Sequence, residues 1–133
     1  MPEILIKRAY EAAARGDGYR VLVDRLWPRG LTKQELPLDQ WDKDLAPTTE
    51  LRKWFGHEPE RWAEFQKRYR KELSSPEQRG RMRELLENAS PRALTLVYGA
   101  KDEEHTHALV LQAELKKTAG AGSSRQKAGR SGG

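Results

Sequence analysis

Val21-Leu-Val-Asp24-Arg25-Leu-Trp27-Pro28-Arg29-Gly30-Leu31 is the stretch on which the reading turns. Its first three residues form an apolar run without alternation, the pattern of a strand buried on both faces of a parallel sheet. The next eight bring together two arginines, an aspartate, a tryptophan, a proline and a glycine. Pro28 removes a backbone donor and ends a ladder or helix. Gly30 opens backbone regions that other residues avoid. A buried strand therefore runs into a loop that presents two guanidiniums, a place suited to something negative.

Before this strand, Ile4 to Tyr10 reads as a first strand, and Glu11 to Gly18 as a short connection with one helical turn at most. After it, Thr32 to Leu36 reads as a polar turn that Pro37 interrupts, and Leu38 to Pro47 as irregular chain anchored by Trp41 and Leu45. A helical block follows. Thr48 is read as an N-cap, Leu51, Trp54 and Phe55 share a face, and Gly56 is a stop. Pro59 opens a helix with the stripe Trp62, Phe65, Tyr69 and Leu73, and Glu64 pairs with Arg68 on its wet side. Ser75 and Gln78 have capping-box spacing around Pro76, and Met82, Leu85, Leu86 and Ala89 are that helix's inner face. Ala93 to Tyr98 is the clearest strand. Asp102 is read as the N-cap of a last helix over 103–117, with Ala108, Leu111 and Leu115 inward.

The order strand, strand, helices, strand, helix predicts a small α/β domain over residues 1–118, of two or three layers. Its sheet is expected to be three-stranded and mainly parallel, with the helical insert between strands two and three. The first connection is short for a parallel crossover, so an antiparallel first strand is the alternative. Residues 119–133 are Gly, Ser, Ala and basic residues, read as a disordered basic tail.

Of 133 residues, 34% are charged and 36% hydrophobic, so the core must be small and flanked by long charged side chains. The formal net charge is +5, of which Arg125, Lys127 and Arg130 in the tail supply three. Basicity thus argues only weakly for nucleic acid. No cysteine is present, which excludes disulfides, thiolate nucleophiles and cysteine-type zinc sites. No apolar run reaches the ~20 residues of a membrane span, and no signal peptide is evident. The expectation is a cytoplasmic protein without membrane association.

In open parallel sheets, ligands sit outside the carboxyl ends of the strands. If the strands ending at Asp24 and at Tyr98 run the same way, Arg25, Arg29, Lys101, His105 and His107 converge there, with Trp27 facing the ligand. Asp24, Asp102 or a histidine would then be available for proton transfer, His107 and Asp24 being the catalytic candidates. Purely structural roles stand beside these: Asp24 as an ion-pair partner, Asp102 as a cap alone. His105 and His107, two residues apart, do not share a helical face, so no metal site is expected, and no cofactor motif occurs. Two other readings remain open. One is a nucleic-acid-binding module using Lys53, Lys67, Arg68, Arg70, Lys71 and the tail. The other is a protein-interaction module using exposed tryptophans.

Val21 to Leu31, Trp41-Asp-Lys-Asp-Leu-Ala-Pro47, Glu50-Leu-Arg-Lys-Trp-Phe-Gly-His57, Trp62 to Tyr69 and Leu96-Val-Tyr-Gly-Ala-Lys-Asp102 resemble, in order, the YeaO-like branch of the DUF488 family. The resemblance covers residues 3–117 and implies a small α/β domain without an established activity. Longer family members carry Arg-x-x-Pro-Arg after a strand, matched by Arg25 to Arg29. They also carry Cys-Ala-Glu-Lys…Cys-His-Arg after the last strand, where Tyr98 to Lys101 and Thr106 to Ala108 stand here, so only Lys101 and His107 of that element survive. Their thiol or cysteine–metal chemistry is thereby excluded. Their full helix between the first two strands supports a parallel sheet.

Overall fold

The computed structural model describes residues 3–132, with side chains described over residues 3–120. The sheet contains β1 (Ile4–Arg8), β2 (Tyr19–Leu22), β3 (Gln40–Trp41) and β4 (Leu94–Tyr98), in the spatial order β1-β4-β2-β3. Every pairing is parallel: Ile6 lies opposite Leu96, Val21 opposite both Leu96 and Gln40. The antiparallel alternative for β1 is therefore excluded. The sheet has four strands among the described residues, not three. The added strand, β3, lies in the stretch read as irregular. Two residues carry no periodicity, and only pairing with β2 defines them as a strand.

A parallel sheet needs its connections on a face. Here α1 (Thr49–Phe55), α2 (Trp62–Leu73), α3 (Pro76–Ala89) and α4 (His107–Gly132) all pack on one face. Val21, Val23, Leu94, Leu96 and Tyr98 point into that face and meet Phe55, Phe65, Tyr69, Met82, Leu85, Leu111 and Leu115. On the other face Leu22, Val97 and Ala9 are covered by the loop residues Leu36, Trp27, Leu31 and Leu38. The architecture is thus two layers, with a loop where a three-layer fold would place helices.

Local signals account for the helix boundaries. Thr48 Oγ1 accepts from Leu51 N at 3.2 Å, and Gly56 closes α1 in the left-handed region at φ 52°. Ser75 Oγ accepts from Gln78 N at 3.2 Å. The return half of the box is absent, because Gln78 Nε2 instead donates to Asp44 O at 2.7 Å. Asp102 does not cap the last helix. Its Oδ1 accepts from Glu104 N and His105 N, stabilising a turn, and α4 begins only at His107. The tail expectation falls, from residue 121, on side chains outside the described ones.

At the start of β2, Asp17 is buried and takes Lys7 Nζ at 3.0 Å and Arg20 Nη1 at 2.6 Å. Ala14 N also donates to it at 3.0 Å. Burial alone would raise its pKa, but these donors outweigh burial and hold it below the ordinary carboxylate value. No helix among the described residues is long and apolar enough to cross a membrane.

Candidate functional site

Because all four strands run the same way, the segments that leave them arrive at one end of the sheet. Tyr10 follows β1, Asp24 to Arg29 follow β2, Ala46 and Pro47 come after β3, and Gly99 and Ala100 follow β4. They enclose a cavity of about 290 Å³. Its walls are apolar (Phe55, Phe65, Pro28 and Pro47), which is the usual setting for a few placed polar groups.

Those polar groups are mostly basic. Arg25, Arg29 and Arg52 line the cavity, and so do His57, His105 and His107, the chain's full set of histidines. Asp24 is the one carboxylate among the described lining residues. A low-dielectric wall carrying three guanidiniums and one carboxylate focuses positive potential into the space it encloses.

Asp24 is held from several sides. Its Oδ2 accepts from Gly99 N at 2.9 Å, while Oδ1 is buried without a hydrogen-bond partner. A Cβ built on Gly99 would lie 3.0 Å from Oδ2, so glycine is what lets β4's end approach this close. His107 Nε2 lies 3.4 Å from Oδ1 and 2.9 Å from Val23 O. A carbonyl can only accept, so Nε2 carries a proton and Nδ1 is the nitrogen left for other partners. Burial pushes the Asp24 pKa up, against the pull of His107, the Gly99 amide, His57 and Arg52. The His107 ring packs edge-on to Tyr69 at 6.0 Å, and the Tyr69 hydroxyl donates to Leu45 O.

The sequence-derived candidates divide. Asp24, Arg25, Arg29, Trp27 and His107 all line the cavity. Arg25 is partly committed already: its Nε donates to Pro47 O at 3.2 Å and its Nη2 to Ala46 O at 3.3 Å. Trp27 spends its indole N–H on Leu31 O at 2.6 Å and packs edge-on to Trp41. Arg29 is exposed, without such ties. Lys101 and Asp102 are not among the lining residues. Lys101 points to solvent, and Asp102 pairs with His105 Nδ1 at 2.8 Å, a bond that lowers its pKa. The chain turns through 101–104 before reaching α4, and this carries both side chains off the cavity.

Arg52, His57 and Tyr10 were missed. Arg52 and His57 belong to the helical insert, far from either loop in sequence. His57 follows the left-handed Gly56 and is itself left-handed at φ 58°, an uncommon state for a non-glycine residue. The pair of left-handed residues turns the chain where α1 ends, at the cavity wall. The adjacent Gly56-His57 was the visible signal, but its direction required the fold. The remaining tryptophans are engaged. Trp54 lies under Arg61 and Arg68, at 5.4 and 4.1 Å, and Trp62 packs on Phe65 at 5.6 Å and on His105 at 5.5 Å.

Fold and cavity define a small α/β protein of the open parallel-sheet class, with its cavity at the strand carboxyl ends. The chain belongs to the DUF488-N3 family, whose inactive subclade is matched over residues 3–131. It is similar to the uncharacterized protein YeaO of Escherichia coli (strain K12), 50% identical over 108 residues that cover 81% of this chain and 92% of that protein. It is also similar to the uncharacterized proteins Mb3100c of Mycobacterium bovis and Rv3073c of Mycobacterium tuberculosis. Each is 39% identical over 108 residues, covering 81% of this chain and 89% of theirs. No solved structure matches the chain.

Proposed function

We propose that the cavity at the strand carboxyl ends binds a small phosphorylated or otherwise anionic, nucleotide-like ligand in the cytoplasm. The observation that carries this reading is the gathering of three arginines and every histidine around one space that holds a single carboxylate among its described lining residues. Arg29 and Arg52 hold the anion, since neither guanidinium has a hydrogen-bond partner among the described residues. Arg25 shapes the wall through Ala46 and Pro47. His107, backed by Asp24, offers Nδ1 to the ligand.

The role proposed is binding rather than turnover. The subclade's description as inactive supports this, and so do the missing cysteines. Asp24 and His107 then set the charge of the site instead of passing a proton through a reaction.

The test is a backbone NMR titration of the full chain with inorganic phosphate. Shifts clustered at 24–30, 52–57 and 99–107 together are the expected result. Arg29→Ala and Arg52→Ala should each weaken binding about tenfold, in line with loss of one charge-assisted contact. Shifts spread over Lys53 to Lys71 would overturn the reading in favour of the basic helical face, and absent shifts would overturn it outright. That face has less support, because Arg68 is already shared between Glu64 at 3.1 Å and the Trp54 ring.

A further inference from the structure

Three large apolar side chains among the described residues are conspicuously exposed, and they are not scattered. Leu26 is 63% exposed and Tyr10 47%, and both line the cavity. The third, Trp41, packs edge-on to Trp27, which also lines it, with ring centroids 5.5 Å apart. Exposed apolar surface gathered at the mouth of a cavity marks a place where something apolar is to be covered.

Tyr10 is held more tightly than an exposed side chain needs to be. Its hydroxyl donates to Arg29 O at 2.9 Å, bridging the end of β1 to the loop after β2. The Arg8 guanidinium lies over its ring, 5.3 Å from the centroid, and Arg8 Nε is fixed in turn by Ala100 O at 2.9 Å. The ring is thus pinned at its tip and backed on one face, yet the residue remains 47% exposed at a cavity lined by three arginines. Ordering it before a ligand arrives lowers the entropy cost of stacking.

We infer that Tyr10 is a stacking platform for a nucleobase, so that the ligands of this cavity are nucleoside phosphates rather than sugar phosphates or simple anions. This inference rests on the anion reading proposed above. A planar unsaturated ring is the apolar partner that a backed tyrosine accepts best, and the adjacent guanidiniums place its phosphate. The cavity, at about 290 Å³, suits one nucleotide unit rather than a dinucleotide. That unit is either a free nucleotide or the 5′-phosphorylated end of a strand.

Calorimetric titration of the full chain with inorganic phosphate, ribose 5-phosphate, the four nucleoside 5′-monophosphates and a 5′-phosphorylated tetranucleotide separates these. At least one nucleoside monophosphate should bind roughly 5- to 150-fold tighter than ribose 5-phosphate, the range of one base–aromatic stack. Tyr10→Ala should erase that advantage. Tyr10→Phe, which keeps the ring and loses the bond to Arg29 O, should retain most of it. A tetranucleotide that binds tighter than the monophosphates identifies a strand end as the source, and equal binding identifies the free nucleotide. Either supports the stack. Equal affinity of wild type for ribose 5-phosphate and every nucleoside monophosphate would overturn it while leaving the anion site intact. A Tyr10→Ala loss shared equally by ribose 5-phosphate would overturn it too, since the tyrosine would then act only by bracing the loop. Absence of binding by all of them, phosphate included, would sink the anion reading and this inference together.

Discussion

Two aspartates flank β2, and they live in opposite circumstances. Asp17, just before the strand, is buried and meets Lys7, Arg20 and the Ala14 amide, and its pKa is lowered. Asp24, just after it, keeps one oxygen buried without a hydrogen bond, only His107 Nε2 lying 3.4 Å away, and its pKa is raised. The first is a satisfied charge that closes the sheet's non-helical face. The second is a charge held at a cost, beside a cavity lined mostly by basic groups. What distinguishes Asp24 is that its unmet oxygen belongs to a residue lining a cavity, the combination that marks a candidate site.

The comparison is open to direct attack. The largest effect is expected from Asp17→Asn. It strands Lys7 and the buried Arg20 without their carboxylate and should cost about 3–5 kcal/mol in urea denaturation. A loss below about 1 kcal/mol would show that water replaces Asp17 easily, and the contrast would fail.

A third aspartate extends the comparison. Asp42, directly after β3, has a pKa raised to about 6, first by burial and then by the Asp44 charge. Its ionised form therefore opposes folding. That penalty is fully present above pH 6, and is relieved as pH falls from there toward the ordinary value of 3.8. Asp42→Asn should stabilise the protein by about 1–3 kcal/mol at pH 7 and by much less at pH 4, as thermal melts at the two pH values would show. An equal gain at both would mean that the charge is not the cause.

Smaller still, Asp24→Asn should be neutral or stabilising by about 1 kcal/mol, because the amide oxygen still accepts from Gly99 while the burial penalty disappears. The sign, opposite to that of Asp17→Asn, is the point. The pH dependences oppose likewise. The Asp17 contribution, present above 3.8, is lost as pH falls through its lowered folded value. The Asp24 penalty is present above its raised folded value and fades as pH falls through it. Phosphate should bind Asp24→Asn severalfold tighter, with one like charge gone. The smallest effect expected is that of Gly99→Ala. It crowds Asp24 Oδ2 at 3.0 Å, and should shift the Asp24 carboxyl NMR titration with under about 1 kcal/mol lost.

Much of this was legible in advance where chemistry is local. Pro28 and Gly30 made the loop, Thr48 and Gly56 bounded α1, and the Trp62, Phe65, Tyr69, Leu73 stripe made α2. The unalternating Val21 to Val23 run foretold a strand covered on both faces. What failed was non-local. β3 exists only through its two rungs on β2, and Lys101 lies off the cavity because the turn at 101–104 leaves it exposed. Arg52 and His57 reached the cavity because Phe55, Phe65 and Trp62 stack between the helices, at 4.4 to 5.8 Å, and dock α1 against the strand ends.

The sequence by itself determined that a buried strand would end in an arginine-bearing loop, because backbone breakers and burial patterns act within a few residues. Only the tertiary structure decided which cations share a space. Two loops and a helix end, distant in the chain, are brought within reach of Asp24 by strand direction and aromatic packing, and neither has a local signature.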